Sequence, residues 1–262
     1  MQNLYDARPS EVRSEIRRDA LVRPTAGMCG GHAQGNLVVL PKELAYDFLL
    51  FATRNPKPCP LLEVSDMGSR EFRLTAPGSD IAKDIPLYRV YRDGVLIEEP
   101  HSVEHLWQPD FVSFLLGCSF TFESALLDEG IAVRHIEMGR NVPMYITNIP
   151  CTPAGVFSGP MVVSMRPIPY EQVVKAAAIT GRYPKVHGAT VHIGSPSHIG
   201  IKDITKPDFG DAVEIREGEV PVFWACGVTP QAAVMNVKPP LVITHAPGYM
   251  FITDTKNAEL SD

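Results

Sequence analysis

Alternating apolar and polar positions along the chain predict short strands that are joined by turns. Residues 161–166 alternate strictly, so that Ser164 and Arg166 share one face of a strand and the methionines share the other. Asp93 and Gly94 separate two apolar runs, which predicts a two-residue hairpin turn. Since helical patterns lie between several of the strands, the sequence predicts an α/β fold with a mixed β-sheet core and flanking helices.

Other segments give further element and domain predictions. The pattern predicts a helix after Pro41 at residues 42–54, strands at residues 131–138 and 187–194, and a second hairpin from residues 212–216 and 219–225. The order of the elements predicts two lobes. A main α/β lobe would contain residues 1–135 and 220–262, and a second, smaller α+β lobe would contain residues 136–219, with approximate boundaries.

Two strand-to-helix corners resemble each other and are candidate ligand sites. The first turns at Gly117, Cys118 and Ser119, and the second turns at Gly227 and Thr229. Glycine lets the backbone bend sharply or approach a ligand, and the first amides of the following helix favour an anion. Because ligands collect where the strands of an α/β sheet end, we expect one pocket shared by both corners. The alternative is two tight turns within the core.

Composition and charge narrow the range of functions. The chain has 262 residues, of which 45% are hydrophobic and 21% charged, as is ordinary for a globular protein. Its net charge of -6, without a block of Lys or Arg, argues against nucleic acid as a partner. No apolar stretch is long enough to span a bilayer, and the N-terminal residues lack a signal-peptide pattern. We therefore expect a cytoplasmic protein without a membrane partner.

The five cysteines are spread along the chain and form no C-x-x-C pair. This argues against a disulfide framework and a structural zinc site, and favours a reducing compartment. Cys118 and Cys226 both lie at turns into helices, where a thiol pKa can fall, so each is either a small turn residue or a nucleophile. The hairpin edges and the proline-rich loops favour a homodimer.

Three histidines are candidate proton carriers near neutral pH. His187, His192 and His245 each lie beside a turn that contains glycine, and a structural role is the alternative for each. No motif requires a cofactor. A divalent metal held by His192, His198 and Asp203 stays an alternative, although the spacing of these residues is nonspecific.

Charged side chains supply candidates for binding an acid. Arg166 presents a rigid fork that fits a carboxylate, and an ordinary ion pair is the alternative. Arg140, which lies in a turn, is a second candidate. Glu123 lies early in the helix after Gly117, where it is either a general base or a carboxylate that compensates the helix dipole.

Several long motifs together resemble one known family. They are Phe114–Glu123, Arg134–Glu137, Asn141–Tyr145, Gly159–Pro167, His187–Gly194, Pro207–Asp211, Pro221–Gln231 and Ile243–Gly248. On these strings, the chain is similar to the hydro-lyase family related to D-glutamate cyclase, from about Arg23 to Asp254. It departs from the family pattern at Thr190, where members usually carry Pro, and at Ser195, where Asp is common.

The resemblance implies a lyase that acts on a small amino acid or carboxylic acid, with D-glutamate dehydration to 5-oxo-D-proline foremost. This reaction needs a base, oxyanion donors, an acid and a cation for the α-carboxylate. We assign the roles on chemistry alone. Proton transfer goes to His187, His192 and Glu123, the carboxylate clamp to Arg166 with Arg140 second, and other substrate contacts to Gly117, Cys118, Ser119, Gly227, Thr229 and His245.

Two rival functions remain at this point. The first is dehydration of a different hydroxy acid or amino acid, for which a divalent metal would be typical. The second is a protein that binds a small carboxylate without turning it over.

Overall fold

The computed structural model describes residues 4–261 and places their strands in two sheets. In chain order the strands are β1 (His32–Pro41), β2 (Leu61–Val64), β3 (Tyr88–Arg92), β4 (Val95–Glu98), β5 (Phe111–Gly117), β6 (Met144–Pro150), β7 (Pro160–Pro169), β8 (His192–Ile193), β9 (Glu219–Ala225), β10 (Val242–His245) and β11 (Phe251–Lys256). The first sheet has the order β2-β5-β1-β10-β3-β4, with β11 also paired to β1, and the second has the order β6-β7-β9-β8. The pairings between these strands are antiparallel.

Helices cover the sheets and complete the predicted α/β fold, which is confirmed. Within residues 4–261 the α-helices are α1 (Pro9–Arg17), α2 (Lys42–Arg54), α3 (Phe120–Asp128), α4 (Arg134–Glu137), α5 (Val173–Gly181) and α6 (Val228–Val237). Helices α2 and α6 cover one face of the first sheet, where Phe48 packs edge-on against Phe114 with ring centroids 4.7 Å apart. Helices α3 and α5 cover one face of the second sheet, where Phe122 packs against Trp224.

Several local predictions from the sequence are confirmed. The strictly alternating segment lies within β7, and Arg166 on this strand points to helix α3. Asp93 and Gly94 join β3 to β4 with φ angles of 50° and 81°, the positive values that a tight hairpin of this kind requires. Helix α2 covers the predicted residues 42–54.

The strand predicted at residues 131–138 is wrong, because this segment contains the short helix α4. Arg134 donates from Nε to the Glu137 carboxylate at 2.8 Å, a pairing between neighbouring turns that helical spacing allows. The strand predicted at residues 187–194 is reduced to the two residues of β8. His187 has a φ of 81°, a left-handed conformation that interrupts regular strand geometry.

The second predicted hairpin is also wrong. Residues 219–225 form β9, but residues 212–216 form no strand. The carbonyl of Ala212 accepts a hydrogen bond from Arg140 Nη1 at 2.5 Å instead of joining a ladder. Strand β9 pairs with β7 and β8, so it belongs to the second sheet. Sheet membership therefore places residues 219–225 with the smaller predicted lobe, and the division into two lobes stays a prediction.

Candidate functional site

The first corner joins β5 to α3 and is fixed by contacts around Gly117. The Gly117 amide donates to Pro60 O at 2.8 Å, and the Gly117 carbonyl accepts from Asn36 Nδ2 at 2.8 Å. A Cβ atom at this position would lie against the Lys185 carbonyl and 2.8 Å from Val186 Cγ1. The close approach of another backbone segment therefore requires glycine here.

The second corner joins β9 to α6 and meets the first through the same asparagine. A Cβ atom on Gly227 would lie 2.7 Å from Asn36 Cγ, so the side-chain amide of Asn36 packs directly on this glycine. Asn36 thus touches Gly227 while its Nδ2 is bonded to Gly117. The structure brings the two corners together, although they are more than 100 residues apart in the chain.

A buried ion pair joins the first corner to β7. Arg166 is 0% exposed, and its Nε donates to Glu123 Oε1 at 3.0 Å, while its Nη2 also meets this oxygen. Nη1 donates to Ser164 Oγ at 3.1 Å, and Nη2 donates to Ser119 Oγ at 3.0 Å. The guanidinium also lies over the Phe122 ring, 5.0 Å from its centroid.

The ion pair keeps Glu123 charged although the carboxylate is buried. Burial by itself would raise the pKa of Glu123, but the Arg166 charge and a hydrogen bond from His135 lower it to about 2. Because the guanidinium is engaged by Glu123 and two serines, it is not an open clamp for a substrate carboxylate. The geometry makes Arg166 and Glu123 structural partners that hold the corner in place, which departs from the roles assigned on sequence.

His135 is a buried member of this cluster that sequence reasoning missed. Its Nε2 lies 3.3 Å from Glu123 Oε1. It is carried by α4, the segment predicted as a strand, and its only sequence signal was its place inside the motif Arg134–Glu137. His135 gives the carboxylate of Glu123 a second partner beside Arg166.

Two thiols lie at the corners, just before the helices begin. Burial raises the pKa of Cys118 to about 12 and that of Cys226 to about 11, although backbone amides of the following helix oppose the shift in both cases. Both thiols are therefore protonated at neutral pH. The side chains are 8% and 9% exposed, so little solvent reaches them.

His187 and His245 are both buried, and burial lowers the pKa of each to about 4. His187 Nδ1 lies 3.0 Å from the carbonyl of Lys57, which can only accept, so the proton of the neutral ring is on Nδ1 and the lone pair is on Nε2. His245 Nδ1 accepts from the Leu37 amide at 3.1 Å, so its proton is on Nε2. The two neutral rings thus have opposite tautomers, one suited to accept a proton and the other to donate a hydrogen bond.

Three predicted site residues lie elsewhere or are otherwise engaged. The His192 ring packs on Phe223, with centroids 5.8 Å apart, whereas Arg166 lies 5.3 Å from the ring of Trp224. Since successive residues of a strand point to opposite faces, His192 is on the far side of the second sheet from Arg166.

Arg140 is exposed, and its Nη1 donates to the Ala212 carbonyl, which belongs to neither corner. The Thr229 hydroxyl accepts from Val162 N at 2.9 Å and lies 3.2 Å from Val162 O, so it ties α6 to β7. Thr229 therefore has a structural role at the second corner, and no free hydroxyl for a ligand.

Lys57 is a further cation beside the first corner that sequence reasoning missed. It lies between Pro56 and Pro58, and its carbonyl is the partner of His187. Its Nζ donates to Thr190 O at 3.2 Å, and burial lowers the pKa of the ammonium. Among the ion pairs of residues 4–261 none involves Lys57, so this half-buried charge is available to an anion.

Two observations bear on the metal and membrane predictions. Within the described residues, no three His, Cys, Asp or Glu side chains are grouped so that they could hold a metal ion. None of the helices in residues 4–261 is both long and apolar enough to cross a membrane. The absence of a cofactor, the cytoplasmic location and the homodimer stay predictions.

Comparisons with known proteins give a consistent result. Residues 112–254 match the family model described as D-glutamate cyclase. The chain is 68% identical over 253 residues to a protein from Clostridium beijerinckii named "Putative hydro-lyase", covering 97% of both chains. It is 61% identical over 253 residues to "Putative hydro-lyase YcsI" from Bacillus subtilis, covering 97% of this chain and 98% of that protein.

A search of solved structures gives a much weaker similarity. The chain aligns with a nitrogen repressor-like protein, MJ0159 from Methanococcus jannaschii, over 93% of its own length and 97% of that chain. The sequence identity is 9% and the TM-score is 0.38, so this similarity supports no statement on function.

Proposed function

Because the chain belongs to the D-glutamate cyclase family, we propose that it is a hydro-lyase that dehydrates D-glutamate to 5-oxo-D-proline where the two corners meet. The observation that carries the proposal is the contact of both Gly117 and Gly227 with Asn36. This contact brings the start of α3 and the start of α6 to one place. The amides of a helix start have no partner within the helix, so they suit the oxygens of a carboxylate or an oxyanion.

The base in this proposal is His187. Its Nε2 lone pair takes a proton from the substrate amine, which then attacks the side-chain carboxyl. A hydrogen bond between His187 and the Gly117 backbone raises the pKa of the ring. This opposes the effect of burial and favours the protonated ring. The imidazolium gives this proton to an oxygen of the side-chain carboxylate. The second proton, which the nitrogen loses once it has attacked, reaches the same oxygen through the ring, so that the oxygen leaves as water and one ring serves as base and acid in turn.

Other groups bind the substrate. His245 offers Nε2–H as a neutral donor. Its ring lies beside Asn36, because its Nδ1 accepts a hydrogen bond from the amide of the next residue, Leu37. Lys57 replaces Arg166 as the cation that holds the α-carboxylate, because it has no carboxylate partner among the described residues while Arg166 is bound by Glu123. A held carboxylate makes the attack of the amine effectively unimolecular.

A panel of acids tests the proposal. The purified chain is incubated with D- and L-amino acids and with hydroxy acids, and products that have lost one water are detected by mass spectrometry. We expect D-glutamate to give 5-oxo-D-proline, with no effect of a chelator. Water loss from a hydroxy acid instead, abolished by the chelator, would identify a metal-dependent dehydratase. Tight binding of D-glutamate without a product would identify a binding protein.

A further inference from the structure

Cys118 and Cys226 occupy equivalent places at the two corners, and the cyclisation described above uses neither thiol. Each follows the last residue of a strand and precedes a helix. Each thiol also faces an amide of that helix, Phe120 N–H for Cys118 and Val228 N–H for Cys226. The junction thus contains two matched thiols and not one isolated cysteine.

Contacts between the corners hold these thiols near each other. Asn36 joins the backbone of the two glycines that adjoin the cysteines. Arg166 binds Ser119, the neighbour of Cys118, and its charge acts on both thiols. Cys226 is itself among the groups that raise the pKa of Cys118, an electrostatic effect that needs a short separation.

The first corner also contains a buried hydroxyl that lacks a hydrogen-bond partner, which a polar ligand would supply. Thr121 is 3% exposed, and its Oγ1 has no hydrogen-bond partner. It lies three residues after Cys118, and its amide bonds to the Cys118 carbonyl at 3.4 Å, so the hydroxyl belongs to the same turn of the chain as this thiol. A buried hydroxyl without a partner costs free energy, which a polar ligand beside Cys118 would recover.

We propose that Cys118 and Cys226 are a pair of proton carriers placed on either side of the substrate α-carbon, and that the site inverts this carbon in glutamate or 5-oxoproline. The substrate class rests on the proposed function, whereas the thiol pair does not. One cysteine as thiolate removes the α-proton, and the C–H electron pair moves onto the α-carboxylate. The other cysteine, as thiol, then protonates the carbon from the opposite face.

The atoms and electrons of this step balance without an oxidant or a cofactor. One proton leaves the carbon and one arrives, and each turnover exchanges the thiol and the thiolate between the two cysteines. Lys57 and the helix amides face the negative charge that forms on the α-carboxylate. Since both thiols are protonated at neutral pH, the thiolate is the scarce form, and the rate should rise about tenfold per pH unit from pH 7 towards pH 9.

Exchange in heavy water tests the thiol pair. The full chain is incubated in D2O with D-glutamate, L-glutamate and 5-oxo-D-proline, and proton NMR follows the α-proton while chiral chromatography follows the enantiomer. We expect the α-proton to be lost and the opposite enantiomer to appear. Cys118→Ser and Cys226→Ser should each slow the inversion by about 100-fold or more. Cys151→Ser, a buried cysteine outside the corners, should react at the wild-type rate.

The test of the thiol pair can be told apart from the test of cyclisation, because water loss is measured in the same samples. Cyclisation by a wild-type protein that keeps every α-proton would overturn the thiol pair and leave the proposed function standing. Exchange of the α-proton without water loss would overturn the proposed cyclisation and leave the thiol pair standing. Thermal unfolding of each serine variant shows whether it is folded, and a folded variant that exchanges at the wild-type rate would remove that cysteine from the pair.

Discussion

Arg166 binds Glu123 through Nε at 3.0 Å, and Nη2 meets the same carboxylate oxygen, inside a cluster that solvent hardly reaches. The pair joins helix α3 of the first corner to strand β7 of the second sheet. Because the charge of the guanidinium is already balanced, an anionic substrate would have to displace Glu123 to reach it. The pair is therefore better suited to fix the corner than to bind an acid.

Removing the carboxylate should destabilise the protein strongly. Glu123→Ala leaves the Arg166 charge buried without a counterion, which typically costs about 3–5 kcal/mol. Urea unfolding followed by circular dichroism measures the loss. Glu129→Gln is the matched control, because Glu129 pairs with Lys175 at the surface and the midpoint should hardly move. An equal midpoint for both variants would mean that the buried pair contributes little.

The Glu123 carboxylate should make the free energy of unfolding depend on pH. The pKa of Glu123 is lowered to about 2 in the folded state, from an ordinary value of 4.5. A lowered pKa stabilises the fold above pH 4.5, and the contribution disappears as the pH falls towards 2. For this shift it amounts to about 3 kcal/mol. Unfolding free energies of the wild type and Glu123→Gln should therefore converge between pH 4.5 and 2, and a constant difference would contradict the shift.

Lys57 should control the affinity for the substrate. Lys57→Gln keeps a donor for Thr190 O but removes the charge, so KM for D-glutamate should rise about 10-fold or more with a small change in kcat. Lys57→Arg should recover part of the loss. Lys185→Gln is the control on the neighbouring loop, since its side chain is exposed and only its carbonyl contacts Gly117. An unchanged KM for Lys57→Gln would remove this residue from the site.

The contact between Asn36 and Gly227 should appear as coupling between two substitutions. Gly227→Ala forces a Cβ atom into the Asn36 amide, and such overpacking costs about 1–3 kcal/mol. Asn36→Ala makes room for that Cβ, although it also removes the hydrogen bond to Gly117. The double variant should thus be more stable than the sum of the single losses predicts. Additive losses in a double-mutant cycle would show that the two residues do not touch.

His187 should be needed for catalysis in its neutral form. Burial lowers the pKa of His187 to about 4, so kcat/KM should fall only as the pH drops through this value and the ring gains a proton. His187→Asn keeps a donor for the Lys57 carbonyl but supplies no base, and kcat should drop by about 100-fold or more. His192→Gln should have wild-type kinetics, because that ring lies on the other face of the second sheet. Loss of activity in this control would return His192 to the site.

The two corners could be found from the sequence because their signals are local. Glycine at the end of an apolar run, followed by a helix, marks a strand-to-helix corner wherever it occurs. That the two corners would share one pocket was an inference from this likeness, and Asn36, which contacts both Gly117 and Gly227, carried no signal of its own. Sequence also placed Arg166 on the polar face of its strand, opposite the methionines.

The partners of these residues could not be found in the same way. Glu123 and Arg166 are 43 positions apart, and no periodic pattern relates residues on a helix to residues on a strand of another sheet. His135 was missed because its segment was assigned to a strand, where its ring would have pointed elsewhere. Lys57 lies between two prolines, which predict a loop but say nothing on what its ammonium faces.

Asn36 belongs to a strand of one sheet, whereas the glycine that it packs on lies in the turn after a strand of the other. Neither sheet produced as a separate fragment would carry a complete reaction centre. A small rotation of one sheet against the other would also separate the catalytic groups before it disturbed either core. Activity should consequently be lost at milder denaturant concentrations than secondary structure.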